Sequence, residues 1–168
     1  FARHDVSMIL DLVPSEPSNV TARGESYLQP GVEDVVFVNI AFKDRTMAQI
    51  QLSWLDPRKE RRLTVVGSKK MVELDDAHPT EKLKVYDKGY DRPPEFTQYG
   101  EYLTVRSGDI HIPRVDGSEP LELECKEFVS AIRQGRPPRT DGRSGLRVVE
   151  VLEAADRSLK LSGAPVPL

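Results

Sequence analysis

Between Met47 and Trp54 the side chains alternate: Ala48, Ile50, Leu52 and Trp54 are apolar, and Gln49, Gln51 and Ser53 are polar but uncharged. A period of two sends the two sets to opposite faces of a β-strand. Such a strand needs a core on one side only, and its other face suits water or a partner. That limits the chain to folds built on a one-sided sheet covered by helices.

The flanking sequence supplies the rest of the sheet. Val35 to Phe42 reads as a partner strand, joined by the polar turn Lys43-Asp44-Arg45-Thr46. Arg62 to Val66 and Met71 to Leu74 flank Gly67-Ser68-Lys69-Lys70, a second hairpin. Asn19 to Glu25, Lys82 to Tyr86 and Tyr102 to Arg106 are further strands. Short turns between sequential strands imply antiparallel pairing. Val6, Ile9, Leu10 and Val13 fall at helical spacing before Pro14, which predicts a helix over Arg3 to Leu12. Two more helices close the chain. Ser118 can cap the first, with Pro120 in its first turn and Gly135 and Pro137 as its stop; its apolar stripe is Leu121, Cys125, Phe128, Val129 and Ile132. The second starts near Thr140 or Asp141, ends at Gly163, and carries Leu146, Val149, Leu152, Ala155 and Leu159 as its buried stripe. The expected fold is α+β, an open, mostly antiparallel sheet with helices packed on one face, and 168 residues fit one domain.

Several functions are excluded by what the chain lacks. The net charge is −3 with both signs interspersed, so no basic stripe awaits a nucleic acid. No apolar run is long enough to span a bilayer. One cysteine, Cys125, permits no internal disulfide and points to a cytoplasmic setting. There is no G-x-G-x-x-G, so this chain has no dinucleotide fingerprint, and no Walker loop, C-x-x-C pair or H-E-x-x-H helix. No metal site is expected. Phe1 in place of Met, with a helix beginning almost at once, suggests a cut inside a longer protein.

Three histidines remain as candidate acid–base groups. His78 precedes Pro79 in a polar loop and reads as a solvated side chain. His111, in Ile110-His111-Ile112-Pro113, reads as a strand-end residue that could line a cleft. His4 stands in the first turn of a helix, where it reads as a surface histidine or as a neutral imidazole that can accept a proton from a hydroxyl. Arg58, Lys59, Arg61 and Arg62 form a basic cluster that could meet a diphosphate or simply be solvated. Tyr86, Tyr90, Phe96, Tyr99 and Tyr102 crowd a Pro- and Gly-containing stretch, and could cover a sugar, meet a second subunit or pack as an ordinary loop.

His4-Asp5-Val6-Ser7-Met8-Ile9-Leu10 resembles the helix that opens the C-terminal domain of Gfo/Idh/MocA oxidoreductases. Ser26-Tyr27-Leu28-Gln29-Pro30-Gly31-Val32-Glu33-Asp34, Ser53-Trp54-Leu55-Asp56-Pro57 and Leu63 to Met71 resemble successive later segments, as do Gly108-Asp109-Ile110-His111-Ile112-Pro113 and Gly142 to Ser158. The resemblance implies the C-terminal domain of a glyceraldehyde-3-phosphate-dehydrogenase-like two-domain enzyme. Residues 1–168 would be its substrate-binding and oligomerisation domain. An N-terminal Rossmann domain, absent here, would hold NAD and supply the lysine of a Glu-Lys-Pro motif. The implied catalytic residue of this chain is His4. The Trp-Leu-Asp-Pro and Gly-Asp-Ile-His-Ile-Pro segments, with Ser7 where the inositol branch often has Asp, resemble members that oxidise a UDP-N-acetylhexosamine or its uronate at C3. The implied partners are that sugar nucleotide and further copies of the chain, paired through the open sheet face. The alternatives are a non-catalytic binding or dimerisation module, and a family member acting on a free sugar or polyol.

Overall fold

The computed structural model describes residues 2–58, 60–91, 104–115 and 117–168. The chain forms two compact units. The first joins Phe1–Asp56 to Pro120–Leu168, and the second is Pro57–Glu119.

In the first unit, α1 (Arg3–Leu12) leads into β1 (Pro17–Glu25), β2 (Val35–Phe42) and β3 (Met47–Ser53). The second unit contributes β4 (Arg62–Val66), β5 (Met71–Asp75), β6 (Leu83–Asp91) and β7 (Thr104–His111). The chain then returns to the first unit as α2 (Pro120–Gln134), α3 (Gly142–Lys160) and the short β8 (Val166–Pro167). The class is α+β and every described ladder is antiparallel. The strands make two four-stranded sheets rather than one continuous sheet, ordered β3-β2-β1-β8 and β4-β5-β6-β7. The break has a local cause. Ser53 Oγ accepts a hydrogen bond from the Leu55 backbone N–H at 3.1 Å, and Pro57 follows, so the backbone leaves the ladder before β4.

The core of the first unit lies between its sheet and helices α1 and α3. Val20 stands opposite Ile40, Ala22 opposite Val38, and Val38 opposite Ile50, and all five are buried. Val6, Ile9 and Leu10 of α1 join them, with Val151, Ala154 and Ala155 of α3. Full burial of each such aliphatic contributes about 1.5–3 kcal/mol. On α3 the buried line differs from the expected one. Leu146 and Val149 are exposed, while Leu152 and Leu159 flank a line of Val151, Ala154, Ala155 and Ser158. Small residues win because α3 lies close on β1, where bulky side chains would not fit.

Ser158 shows how close that approach is. β8 pairs only with Asn19 and Val20, so β1 has no outer strand at Ala22. Ser158 Oγ takes the strand's place: it accepts from Ala22 N at 2.8 Å and donates to Ala164 O at 2.7 Å. Gly163, at φ 91°, closes the helix end by donating its N–H to Ser158 O at 2.8 Å. At the other end Asp141 caps α3 by accepting from Ser144 N at 2.9 Å.

The described residues of the second unit form a sheet and no helix. Leu63, Leu74 and Leu83 are in register on one face, as are Val65, Val72, Val85 and His111. β6 continues to Asp91, so Asp87 to Asp91 is strand rather than the start of a loop. A register shift between Tyr86 and Lys88 lies near Gly108, whose added Cβ would come within 2.6 Å of Asp87 O. Only glycine permits that backbone approach.

Candidate functional site

α1 has one face in the core, and His4 is on another. Val6, Ile9 and Leu10 are buried, whereas His4 and Met8, one helical turn apart, are exposed. The N-cap residue Ala2 offers no side chain to the first-turn N–H groups. The His4 imidazole itself is exposed in the first turn of α1. No polar side chain among the described residues is hydrogen-bonded to His4, so nothing here selects its tautomer.

The other two histidines belong to the second unit. His111 ends β7 in the second unit, exposed and opposite Val85. His78 is not simply solvated: its Nδ1 accepts from Glu81 N at 2.8 Å and from Thr80 N at 3.3 Å, which closes the turn before β6. Two members of the basic cluster form surface ion pairs. Arg62 meets Glu60 at 3.1 Å and Arg61 meets Asp76 at 3.9 Å, all well exposed; pairs of this kind stabilise little. Lys59, Phe96, Tyr99 and Tyr102 lie outside the described residues, and Tyr86 is half-buried on β6. No group of three or more metal-ligating side chains occurs among the described residues.

Sequence reasoning passed over Asp34. It is the most buried acid of the first unit, and its Oδ2 accepts from Tyr27 N at 2.6 Å and Leu28 N at 2.7 Å. Its carbonyl accepts from Trp54 N at 2.9 Å. One residue thus fixes both loops at this end of the sheet, where Tyr27, Leu28, Val32, Trp54 and Leu55 stand exposed. The only signal was an acid at the end of a turn with Gly31 at φ 81°, just before an apolar strand.

All described ladders are antiparallel, so the described residues form no crevice between parallel strand ends and helix N-termini of the kind that holds a pyrophosphate. No helix of the described residues is long and apolar enough to cross a membrane.

The described residues form an α+β domain built on antiparallel sheets. The family described as "Oxidoreductase family, C-terminal alpha/beta domain" matches residues 1–168, and the chain belongs to that Gfo/Idh/MocA family. No curated protein sequence matches it significantly. Solved structures of the same fold include UDP-N-acetylglucosamine 3-dehydrogenase from Acidithiobacillus ferrooxidans, 21% identical with a TM-score of 0.74, covering 95% of this chain and 47% of that one. The WlbA dehydrogenase of Bordetella pertussis, in complex with NADH and UDP-GlcNAcA, is 22% identical with a TM-score of 0.66, covering 99% and 43%. Aldose-aldose oxidoreductase from Caulobacter crescentus, complexed with glycerol, is 20% identical with a TM-score of 0.72, covering 99% and 46%. The chain therefore spans about half the length of the solved chains it matches.

Proposed function

We propose that this chain is the substrate-side domain of an NAD-dependent sugar dehydrogenase that oxidises a ring hydroxyl, C3 of a UDP-N-acetylhexosamine or its uronate. A Rossmann domain, joined to this one in the whole protein, holds the dinucleotide; this chain alone neither binds it usefully nor turns over. The observation that carries the reading is the exposed His4 imidazole in the first turn of α1, at the position where the family resemblance puts its catalytic histidine.

When bound, NAD supplies the hydride acceptor. The work of this chain is orientation and proton transfer. The His4 imidazole takes the proton of the ring hydroxyl as its carbon is oxidised, together with the lysine of the other domain. Remote contacts to the uridine diphosphate hold the sugar ring in line, so binding energy is used for alignment. Sugar-nucleotide dehydrogenases stand among the solved structures of this fold, and so does an aldose oxidoreductase, which keeps a free sugar as the second reading. We also propose a cytoplasmic homo-oligomer, paired through the open face of β1-β2-β3. That face presents Gln49, Gln51 and Ser53 of β3 and an exposed Phe37 of β2, with Arg23 and Glu25 of β1 in register beside Phe37 and Val35.

The test is an assay of the full-length protein with NAD and, in parallel, UDP-N-acetylglucosamine, its uronate and myo-inositol, followed by NADH absorbance. NADH formation with a UDP-sugar is expected. Formation with inositol alone refutes the substrate assignment.

A further inference from the structure

The turn between β5 and β6 is completed by a side chain. Asp75 N donates to Lys82 O at 2.8 Å, which carries the ladder one step beyond Leu74 and Leu83. Inside the turn, His78 N donates to Asp75 O at 3.2 Å and Ala77 N donates to Asp75 Oδ1 at 3.0 Å. Pro79 follows and has no N–H to give. The next two N–H groups, of Thr80 and Glu81, converge on one ring nitrogen, His78 Nδ1, at 3.3 and 2.8 Å.

This geometry fixes the state of the ring. A nitrogen that accepts must present its lone pair, so Nδ1 carries no proton and the hydrogen of the neutral ring is on Nε2. An imidazolium has a donor at both nitrogens and no acceptor. Protonation of Nδ1 therefore aims a donor at two other donors, and neither contact survives it.

The surroundings leave that protonation open. His78 is half-exposed. The cations around the turn all face acids. Lys82 and Arg61 reach Asp76 at 3.2 and 3.9 Å, and Lys84 reaches Glu81 at 3.1 Å. Arg62 of β4 meets Glu60 at 3.1 Å and stands opposite Asp75 in register. With each of these positive charges matched by a carboxylate, none is left over to keep the ring neutral.

We propose that His78 is a pH-operated latch on the β5–β6 hairpin. Unprotonated, it holds residues 75–82 closed. Protonated, it releases the Thr80 and Glu81 N–H groups to water and frees the turn. The closed turn has no proton on Nδ1 and the open turn can take one, so acid favours the open form. Histidine changes charge between about pH 5 and 8, so the latch is closed at the upper end of that range and lost toward the lower. Opening is confined to the turn, because the ladder from Leu74 and Leu83 inward has its own hydrogen bonds. The latch belongs to the second unit and is independent of the activity proposed for His4.

The test is amide exchange in the full-length protein, read by mass spectrometry over residues 78–82. The readout is protection, the rate in unfolded protein divided by the rate in folded protein at the same pH, which removes the intrinsic pH dependence of exchange. From about pH 8 to about pH 5, protection at Thr80 and Glu81 is expected to fall at least about threefold, with the amides inside the β5–β6 ladder unchanged. His78→Asn offers an amide oxygen near the place of Nδ1, an acceptor that does not titrate, so protection should persist at both pH values; His78→Ala should lack it at both. Nitrogen NMR of the wild-type imidazole at about pH 8 should show the proton on Nε2. Wild-type protection that does not change with pH overturns the proposal. So does a proton on Nδ1 at the higher pH, or the same pH dependence in His78→Asn as in wild type.

Discussion

Single residues set the tightest points of this fold, and Ser158 is the clearest. Its hydroxyl is fully buried and serves both the β1 edge and the 161–164 turn. Ser158→Ala leaves the Ala22 N–H buried without an acceptor, so we expect a loss of about 1–3 kcal/mol in urea unfolding with an unchanged m-value. Asp34→Ala should act differently. Two loop N–H groups lose their acceptor at a half-exposed site, so the effect should concentrate as faster proteolysis and amide exchange over residues 26–34. Neither role was legible in the sequence. A serine on a helical stripe and an acid before a strand look ordinary until the fold brings Ala22 and Tyr27 to them. The helix Arg3–Leu12 was legible from its apolar spacing, and His4 stands in its first turn as expected.

Among the elements, the alternation of β3 and the length of β2 were readable because a half-buried strand imposes a period of two. The division into two sheets was not, since it depends on which sequential strands decline to pair. The helical stripes were half readable. Periodicity marks which residues of α2 and α3 are apolar, but tertiary packing chooses which line is buried: Ala131 on α2 and the small residues of α3. The α2 clamp has its own pH dependence. The Arg136 guanidinium hydrogen-bonded to Glu127, aided by Arg139 N, holds the Glu127 carboxyl at about 2, below its usual 4.5. A lowered folded-state value means that the stabilisation is complete above about pH 4.5 and fades as the pH falls toward 2. Amide exchange in residues 135–141 should therefore rise over that window. Glu127→Gln should abolish the dependence. At the open sheet face, replacing Gln49 and Gln51 by Glu should shift the proposed oligomer toward monomer in light scattering. A wild type that is already monomeric refutes that interface.

At the scale of the whole molecule, the proposed function divides the labour: this antiparallel domain, with His4 exposed in the first turn of α1, would present a substrate to a cofactor held elsewhere. Calorimetry of the isolated chain with NAD should accordingly give no tight stoichiometric binding, because no phosphate-cradling turn is present. The central claim is that this domain supplies the proton-handling group, and His4→Ala in the full-length enzyme tests it most directly. The side chain is exposed and outside the core, so folding should survive. The account predicts a fall in kcat of about 10²–10⁴ with NAD affinity nearly unchanged. Near-native turnover at the optimum pH would contradict it and leave His4 as a surface residue.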